Sequence, residues 1–229
     1  MLLWSSEVDQ AATDVGVLAV LINVGDGADQ QVLGSDRGVV LGVDQRFGVQ
    51  VPEPDIERDA AAESEREAML GAHEAAADYF RSCLADAAGR PAREHLDARD
   101  LTQETIALLG LGFAPATRDS LITHLRARGY SDELLQRSGL ATARDRRPLI
   151  DRFRNRLVIP IARDTGSIIA FGARALQPDH QPKYLNSPET AIYSKARTLY
   201  GLHLSKSAIR KTGYAVLVEG YFDLAQAIQ

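Results

Sequence analysis

The sequence predicts an α+β protein: a helical lobe, a mixed α/β region, and a closing strand-turn-helix. Three observations carry that expectation. Between residues 64 and 139 the apolar positions recur at helical spacing. Arg156 to Ala162 and Ser167 to Ala173 are two strand-like runs joined by Asp164-Thr-Gly166, a hairpin turn. Near the end, Ala215 to Val218 is apolar throughout and runs into Glu219-Gly220-Tyr-Phe-Asp223, the pattern of a fully buried strand turning into a helix.

Taken in order, residues 1–60 hold eleven acids against three Arg and form an acidic extension of uncertain fold. Val15 to Val24 and Val39 to Val43 look like strands, with Gly25 to Asp29 as a polar turn, so a hairpin is expected. Pro52, Pro54 and the charged run to Glu67 place a boundary near residues 55–60. A second unit then spans 61–212, and a third begins at 213. Its first helix is Ser64 to Asp86, with Met69, Ala76, Phe80, Cys83 and Leu84 on one face, ended by Gly89-Arg-Pro91. Shorter helices follow at Ala92 to Asp97, Leu101 to Leu109, Arg118 to Arg128 and Asp132 to Gly139. Asp100 with Gln103 reads as a capping box for the second of these. After the strand pair comes a loop from Pro178 to Pro182, a helix at Leu204 to Lys211, and the final strand.

The net charge of −5 conceals an asymmetry. Residues 1–142 carry −12, whereas residues 143–211 hold 14 Lys and Arg against 5 acids. Such a local excess is the footprint of a surface that meets phosphate backbones; a solvated basic face is the alternative. The longest apolar run, Val15 to Ile22, is too short for a membrane span, and acids precede it where a signal peptide carries positive charge. A cytoplasmic protein with no membrane partner is expected. Cys83 is the single cysteine, which leaves no disulfide framework and no cysteine-rich zinc site, and its position on an apolar helix face makes it core.

Glu219 and Asp223 are the residues placed for chemistry. In open α/β sheets ligands gather beyond the carboxyl ends of strands, and two carboxylates there are hard ligands for magnesium, with Gly220 allowing a tight turn. An acid opening a helix is also a favourable partner of its dipole. Lys183, Tyr184 and Asn186 lie between Pro182 and Pro188, which stiffen the segment and offer a phosphate charge, a stacking face and a donor-acceptor pair. Arg152, Arg154 and Arg156 alternate, so in an extended chain they share one side opposite Phe153; Arg152 or Arg156 could instead pair with Asp151. Arg174, Lys195 and Arg197 complete the basic set. His203 starts a helix or lies at the surface, and the histidines at 73, 95, 124 and 180 lack metal-site spacing.

In order, Asp151-Arg-Phe-Arg-Asn-Arg156-Leu-Val-Ile-Pro160, Gly166 to Arg174, Pro182-Lys-Tyr-Leu-Asn-Ser-Pro-Glu-Thr190, Tyr193-Ser-Lys195, Leu199-Tyr-Gly-Leu202 and Val218-Glu-Gly-Tyr-Phe-Asp223 closely resemble the RNA polymerase core of DnaG-type bacterial primases. Ala92-Arg-Glu-His-Leu, Leu101 to Ile106 and Gly110 to Pro115 extend the likeness more weakly back to about residue 62. The resemblance implies the amino-terminal part of the core, through 212, followed by the first strand and helix of a TOPRIM domain. It implies synthesis of short RNA primers from ribonucleotides on single-stranded DNA. Glu219 would be a metal-linked acid-base group supported by Asp223, with Mg2+ or Mn2+ as cofactor. Arg154, Arg174 and Lys195 match positions for template or nucleotide contacts, and Lys183, Tyr184 and Asn186 belong to the adjoining basic groove. Ala170, Ala173 and Ala196 depart from the glycines of many relatives, which puts any loop geometry needing glycine in doubt.

The family's zinc-binding domain, its later Asp-x-Asp ligands and its helicase-binding region have no counterpart, so the expectation is a truncated primase, inactive alone. A degenerate remnant that only binds nucleic acid is the alternative. A TOPRIM nuclease or topoisomerase piece is disfavoured, because those enzymes lack the Pro182 to Thr190 segment.

Overall fold

A computed structural model describes residues 19–21, 56–143 and 148–229, with side chains from Asp59 onward. The expected strand at Val39 to Val43 and the linker around Pro52 and Pro54 lie outside the described residues. No described helix is long and apolar enough to cross a membrane.

A long helix, α1 (Ile56–Ala85), opens the folded unit, starting earlier than the spacing predicts. Its alanine-rich sequence has strong helix propensity and packs closely, with Ala72, Ala76, Ala77 and Phe80 buried. Two short helices follow, α2 (Arg90–Asp97) and α3 (Gln103–Leu108). The cap of α3 is Thr102, whose hydroxyl accepts from the Thr105 amide at 3.2 Å, not the expected Asp100. Asp100 sits at φ 54 in the turn that ends α2, whereas Thr102 has the extended backbone a cap requires. Beyond them lie α4 (Ser120–Arg126) and α5 (Asp132–Arg137), the latter capped by Ser131.

These helices flank a four-stranded antiparallel sheet in the order β2 (Gly112–Ala114), β5 (Arg156–Ala162), β6 (Ile168–Ala175), β7 (Tyr184–Asn186). A separate small hairpin joins β3 (Ala141–Thr142) to β4 (Ile150–Asp151). The β5–β6 pair is the predicted hairpin, closed by the Arg163 amide on the Ser167 carbonyl at 3.0 Å. Ala170 and Ala173 lie inside β6, fully buried in extended backbone, so neither position demands glycine. Gly112 does face such a demand: a Cβ there would fall 2.6 Å from Phe80 Cβ and 2.8 Å from its backbone carbon, so β2 lies directly on α1.

Side-chain alternation gives the sheet two different faces. On one, Val158, Phe171 and Ala173 meet Phe80 and Phe153, with ring centroids 5.4–6.5 Å apart in edge-to-face contact. His73 stacks flat on Phe171, giving its Nδ1 to the Met69 carbonyl at 2.9 Å, and burial pushes its pKa down to about 4. On the other, Leu157, Ile159 and Ile161 meet Leu96, Phe222, Leu224 and Ala225.

After α6 (Leu202–Thr212) come β8 (Val216–Val218) and α7 (Tyr221–Ile228). The expected burial of this strand is not found: Val216 is 40% and Leu217 58% exposed. Its described partner is β1 (Ala19–Leu21), in parallel register, so the strand belongs to a two-stranded ribbon and not to the main sheet. The hairpin expected between Val15 to Val24 and Val39 to Val43 lies outside the described residues, apart from β1 itself. The apolar run buys burial one element later, where α7 sinks Tyr221, Phe222, Leu224 and Ala225 into the core.

Candidate nucleic-acid interface and carboxylate pair

Glu219 lies at the carboxyl end of β8 and Asp223 in the first turn of α7, and both are exposed. Gly220 between them is extended, φ −122 and ψ 153, so the corner does not use glycine's left-handed freedom. It uses the missing side chain, because a Cβ would approach the Asp223 carboxylate oxygen to 2.7 Å. The position of α7 is fixed by its buried face and by polar ties to the α2–α3 turn. Gln226 Nε2 donates to the Arg99 carbonyl at 2.6 Å, and Gln229 accepts from the Thr102 amide at 2.8 Å. Among the described residues, no cluster of three or more His, Cys, Asp or Glu could hold a metal. Two exposed carboxylates still fit magnesium, which keeps several waters and accepts one or two protein ligands.

A basic and aromatic cluster adjoins this corner. Arg174 on β6 donates to the Tyr184 hydroxyl, and its guanidinium carbon lies 5.2 Å from the Tyr184 ring centre and 5.4 Å from that of Phe222. Asn186 accepts at its Oδ1 from the Tyr221 hydroxyl at 3.1 Å. On the far side of Phe222 stands Arg99, 4.3 Å above the ring, with its Nε donating to His95 Nε2 at 3.0 Å. Partial burial and the Arg174 charge lower the Arg99 pKa, while Tyr184 and Asp223 pull it back up. Burial, then Arg99 and Arg174, likewise hold His95 below its ordinary value, which keeps it the neutral acceptor that Arg99 needs. Sequence reasoning missed Arg99 and His95. Their spacing of four, from α2 into the turn that ends it, is a legible contact signal, but nothing local ties it to a helix that begins only at Tyr221.

Lys183 is exposed, with its carbonyl accepting from the Ala175 amide at 2.9 Å, which orders the backbone and leaves the ammonium free to reach outward. Lys195 is half-buried in a short 3-10 turn, its amide held by the Glu189 carboxylate at 2.7 Å. No described contact brings either ammonium to the Arg174 cluster.

Arg152, Arg154 and Arg156 occupy the opposite face of the sheet. Arg156 shares its side of β5 with Val158, whereas Leu157 pairs with Arg174 and Arg174 with Tyr184 on the other. The segment before β5 does not meet the condition of a continuously extended chain, since Asn155 has φ 50. All three arginines nonetheless line one cavity of about 280 Å³, with Phe153 buried away from it. Arg152 donates to the Asn186 carbonyl at 2.8 Å, Arg156 to the Pro182 carbonyl at 2.7 Å, and Arg154 to the Asp151 carbonyl. Burial lowers the pKa of Arg152 and Arg156, helped at Arg156 by the Arg154 charge. The alternative pairing with Asp151 is not formed. That carboxylate instead accepts from the Leu121 and Ile122 amides at 2.9 and 3.0 Å and caps α4.

Residues 79–206 match the family described as the DNA primase catalytic core, N-terminal domain. The DNA primase of Streptomyces coelicolor is 43% identical over 162 residues, covering 70% of this chain and 25% of that protein. The primase of Mycolicibacterium smegmatis is 39% identical over 171 residues, 74% of this chain and 26% of that protein. Among solved structures, the RNA polymerase domain of Mycobacterium tuberculosis primase DnaG, in complex with a double-stranded DNA oligomer with a 6-nucleotide overhang, superposes with a TM-score of 0.67. It is 38% identical, and the match covers 69% of this chain and 50% of that one. The chain therefore spans about a quarter of the curated relatives it matches and half of that solved domain. With the family match extending over more than half of its residues, and a mixed helix-and-sheet fold shared with that polymerase domain, the chain belongs to the DnaG-type bacterial DNA primases.

Proposed function

We propose that this chain contributes the template-binding part of a primase core and the first carboxylates of its metal site. One observation carries it: the exposed pair Glu219 and Asp223 sits at a strand-helix corner bordered by Arg99, Arg174 and Tyr184. Cations beside carboxylates suit a reaction in which an anionic strand and a metal-bound nucleotide must meet. Arg174, already stacked between two aromatic rings, presents a fixed charge to a phosphate, and Tyr184, 39% exposed, offers its ring to a base. Lys183 and Lys195 extend the positive track, and Asn186 positions Tyr221 beneath it. Glu219 and Asp223 would hold Mg2+ or Mn2+, which when bound neutralises charge on the transferring nucleotidyl phosphate and favours attack by the primer hydroxyl. Glu219 is also free to take the proton of that hydroxyl, being exposed and outside any described ion pair. This corner is the start of a TOPRIM site on this reading, with ribonucleotides as substrate and single-stranded DNA as template.

Two carboxylates hold a divalent ion weakly, so the 229-residue chain is expected to bind DNA without making primers. The alternative, a remnant that only binds nucleic acid, shares that outcome. The two separate when the missing ligands are supplied: a chimera carrying the remaining primase core should incorporate ribonucleotides on a template, and Glu219→Ala should abolish it. Template binding is tested on the chain itself by fluorescence titration of single-stranded DNA against salt. Lys183→Ala with Arg174→Ala should flatten the log-log slope by roughly 0.7 per lost phosphate contact. Unchanged slopes would rule out this groove.

A further inference from the structure

Asn186 is held from both faces of the sheet, which decides what its side chain can offer. Its backbone sits opposite Gly172 in the β6–β7 ladder, and its carbonyl accepts from Arg152 on the far face. Its side-chain oxygen accepts from the Tyr221 hydroxyl at 3.1 Å. A primary amide carries one oxygen and one nitrogen, so engaging the oxygen turns the nitrogen away from Tyr221. Among the described residues that nitrogen donates to nothing, and it is not one of the buried polar atoms left without a partner. Its two N–H groups are therefore open on the face that carries Arg174 and Tyr184.

The Tyr221 hydroxyl reaches this place because residue 172 has no side chain. A Cβ there would fall 2.6 Å from the hydroxyl oxygen and 2.8 Å from the ring carbon that bears it, so the phenol fills the space directly across the ladder from Asn186. Tyr200 meets the Tyr221 ring edge-on, with centroids 5.0 Å apart, and Tyr184 lies at 6.2 Å. Tyr221 opens α7, two residues after Glu219 and two before Asp223. One turn of chain thus sets both the carboxylate corner and the donor on β7.

Deepening the groove reading, on which it rests, we propose that Tyr221 is a positioning residue: through the gap at Gly172 it holds the Asn186 amide nitrogen outward, so that position 186 selects a hydrogen-bond-accepting oxygen on the bound strand. That oxygen belongs to the phosphate backbone or to a base carbonyl, both of which accept and neither of which donates. Without the hydroxyl, the two orientations of the amide have nearly the same shape and compete. The flipped one turns an oxygen toward the strand, where it meets another acceptor.

The test is a titration of the full chain with a short oligodeoxythymidylate and an abasic oligomer of the same length. Asn186→Ala should weaken oligodeoxythymidylate about fivefold, the loss of one hydrogen bond, and Tyr221→Phe about threefold, through the orientation it no longer fixes. Neither variant removes a charge, so the dependence of affinity on salt should stay as in the parent chain, unlike that of Arg174→Ala. Combining the two should cost no more than Asn186→Ala alone, because Tyr221 acts only through that amide. In isotope-edited NMR the Asn186 side-chain N–H pair should shift when the oligomer binds, and the shift should shrink in Tyr221→Phe. A loss in Asn186→Ala that persists on the abasic oligomer identifies a phosphate oxygen, and one confined to thymidylate identifies a base carbonyl; both uphold the proposal. Additive losses, an Asn186 nitrogen found donating to Tyr221, or unchanged affinity in Asn186→Ala while Arg174→Ala weakens binding would overturn it. Unchanged binding in Arg174→Ala and Lys183→Ala as well would sink the groove reading itself, and this proposal with it.

Discussion

The two faces of the central sheet both end in arginines at the β7 edge, yet they are built for different work. Toward α1 the face is a dry aromatic core, Phe80, Phe153 and Phe171 with a neutral His73, and its arginines surround a cavity whose described lining holds no carboxylate. Toward α7 the apolar layer grades into Arg174, Tyr184 and Asn186, which meet Phe222 and lie near Asp223. The positive excess of residues 143–211, which reads as one groove in sequence, is therefore divided by a layer of backbone. Charge counted along a chain gives the amount of positive potential, but strand alternation decides where it is delivered.

The largest expected effects test whether the α1 face is purely structural. Phe171→Ala removes a fully buried ring that touches both Phe80 and Phe153 and should cost about 3–5 kcal/mol in urea unfolding. A loss under about 1 kcal/mol would mean that this layer is not the stabilising one.

His73 gives the same face an acid-sensitive element. Its folded pKa of about 4 lies below the unfolded value of 6.5, so between those pH values the unfolded chain binds the extra proton. The contribution is present above pH 6.5 and is lost as pH falls through 4, amounting to roughly 3 kcal/mol at full extent. His73→Leu should remove that slope. Identical pH profiles for the two proteins would place the acid sensitivity elsewhere.

Smaller, but specific in sign, is the capping role of Asp151. Asp151→Ala should cost about 1–2 kcal/mol by freeing two buried amides at the start of α4. Burial raises the Asp151 pKa against the pull of those same amides, so the neutral Asp151→Asn should cost less than Asp151→Ala. Equal losses for the two variants would show that the hydrogen bonds contribute nothing.

The parts legible in sequence were those with a local period or a local turn. The order of the helices, the β5–β6 hairpin at Asp164 to Gly166 and the burial of Cys83 follow from spacing alone, whereas the short strands β2, β3, β4 and β7 were not foreseen. Asp151 was legible as an acid but not as a cap, because its partners lie 29 and 30 residues earlier. The exposure of Val216 and Leu217 was hidden for a related reason: an apolar run states a demand for cover, not which element supplies it. At the site, Arg174 lies on the readable β5–β6 hairpin, but it meets Tyr184 through β7, a strand that sequence showed only as a Pro-flanked segment. Arg99 and His95 reach the same place only through the packing of α7, for which sequence offers no distance.

The smallest prediction asks whether the two faces act independently. Asn186 is the link: its side chain accepts from the Tyr221 hydroxyl on one face, while its carbonyl accepts from Arg152 on the other. Tyr221 is buried, and its hydroxyl pKa is raised mainly by that burial, so Tyr221→Phe leaves the Asn186 amide short of a donor at a cost of about 1 kcal/mol. If β7 transmits position between the faces, Tyr221→Phe combined with Arg152→Gln should depart from additivity by about 0.5 kcal/mol or more, because both anchor one residue. A double-mutant cycle on unfolding free energy measures that term directly. Strict additivity would mean that the strand backbone holds Asn186 unaided, and that the arginine-lined cavity and the carboxylate corner are mechanically separate on one scaffold.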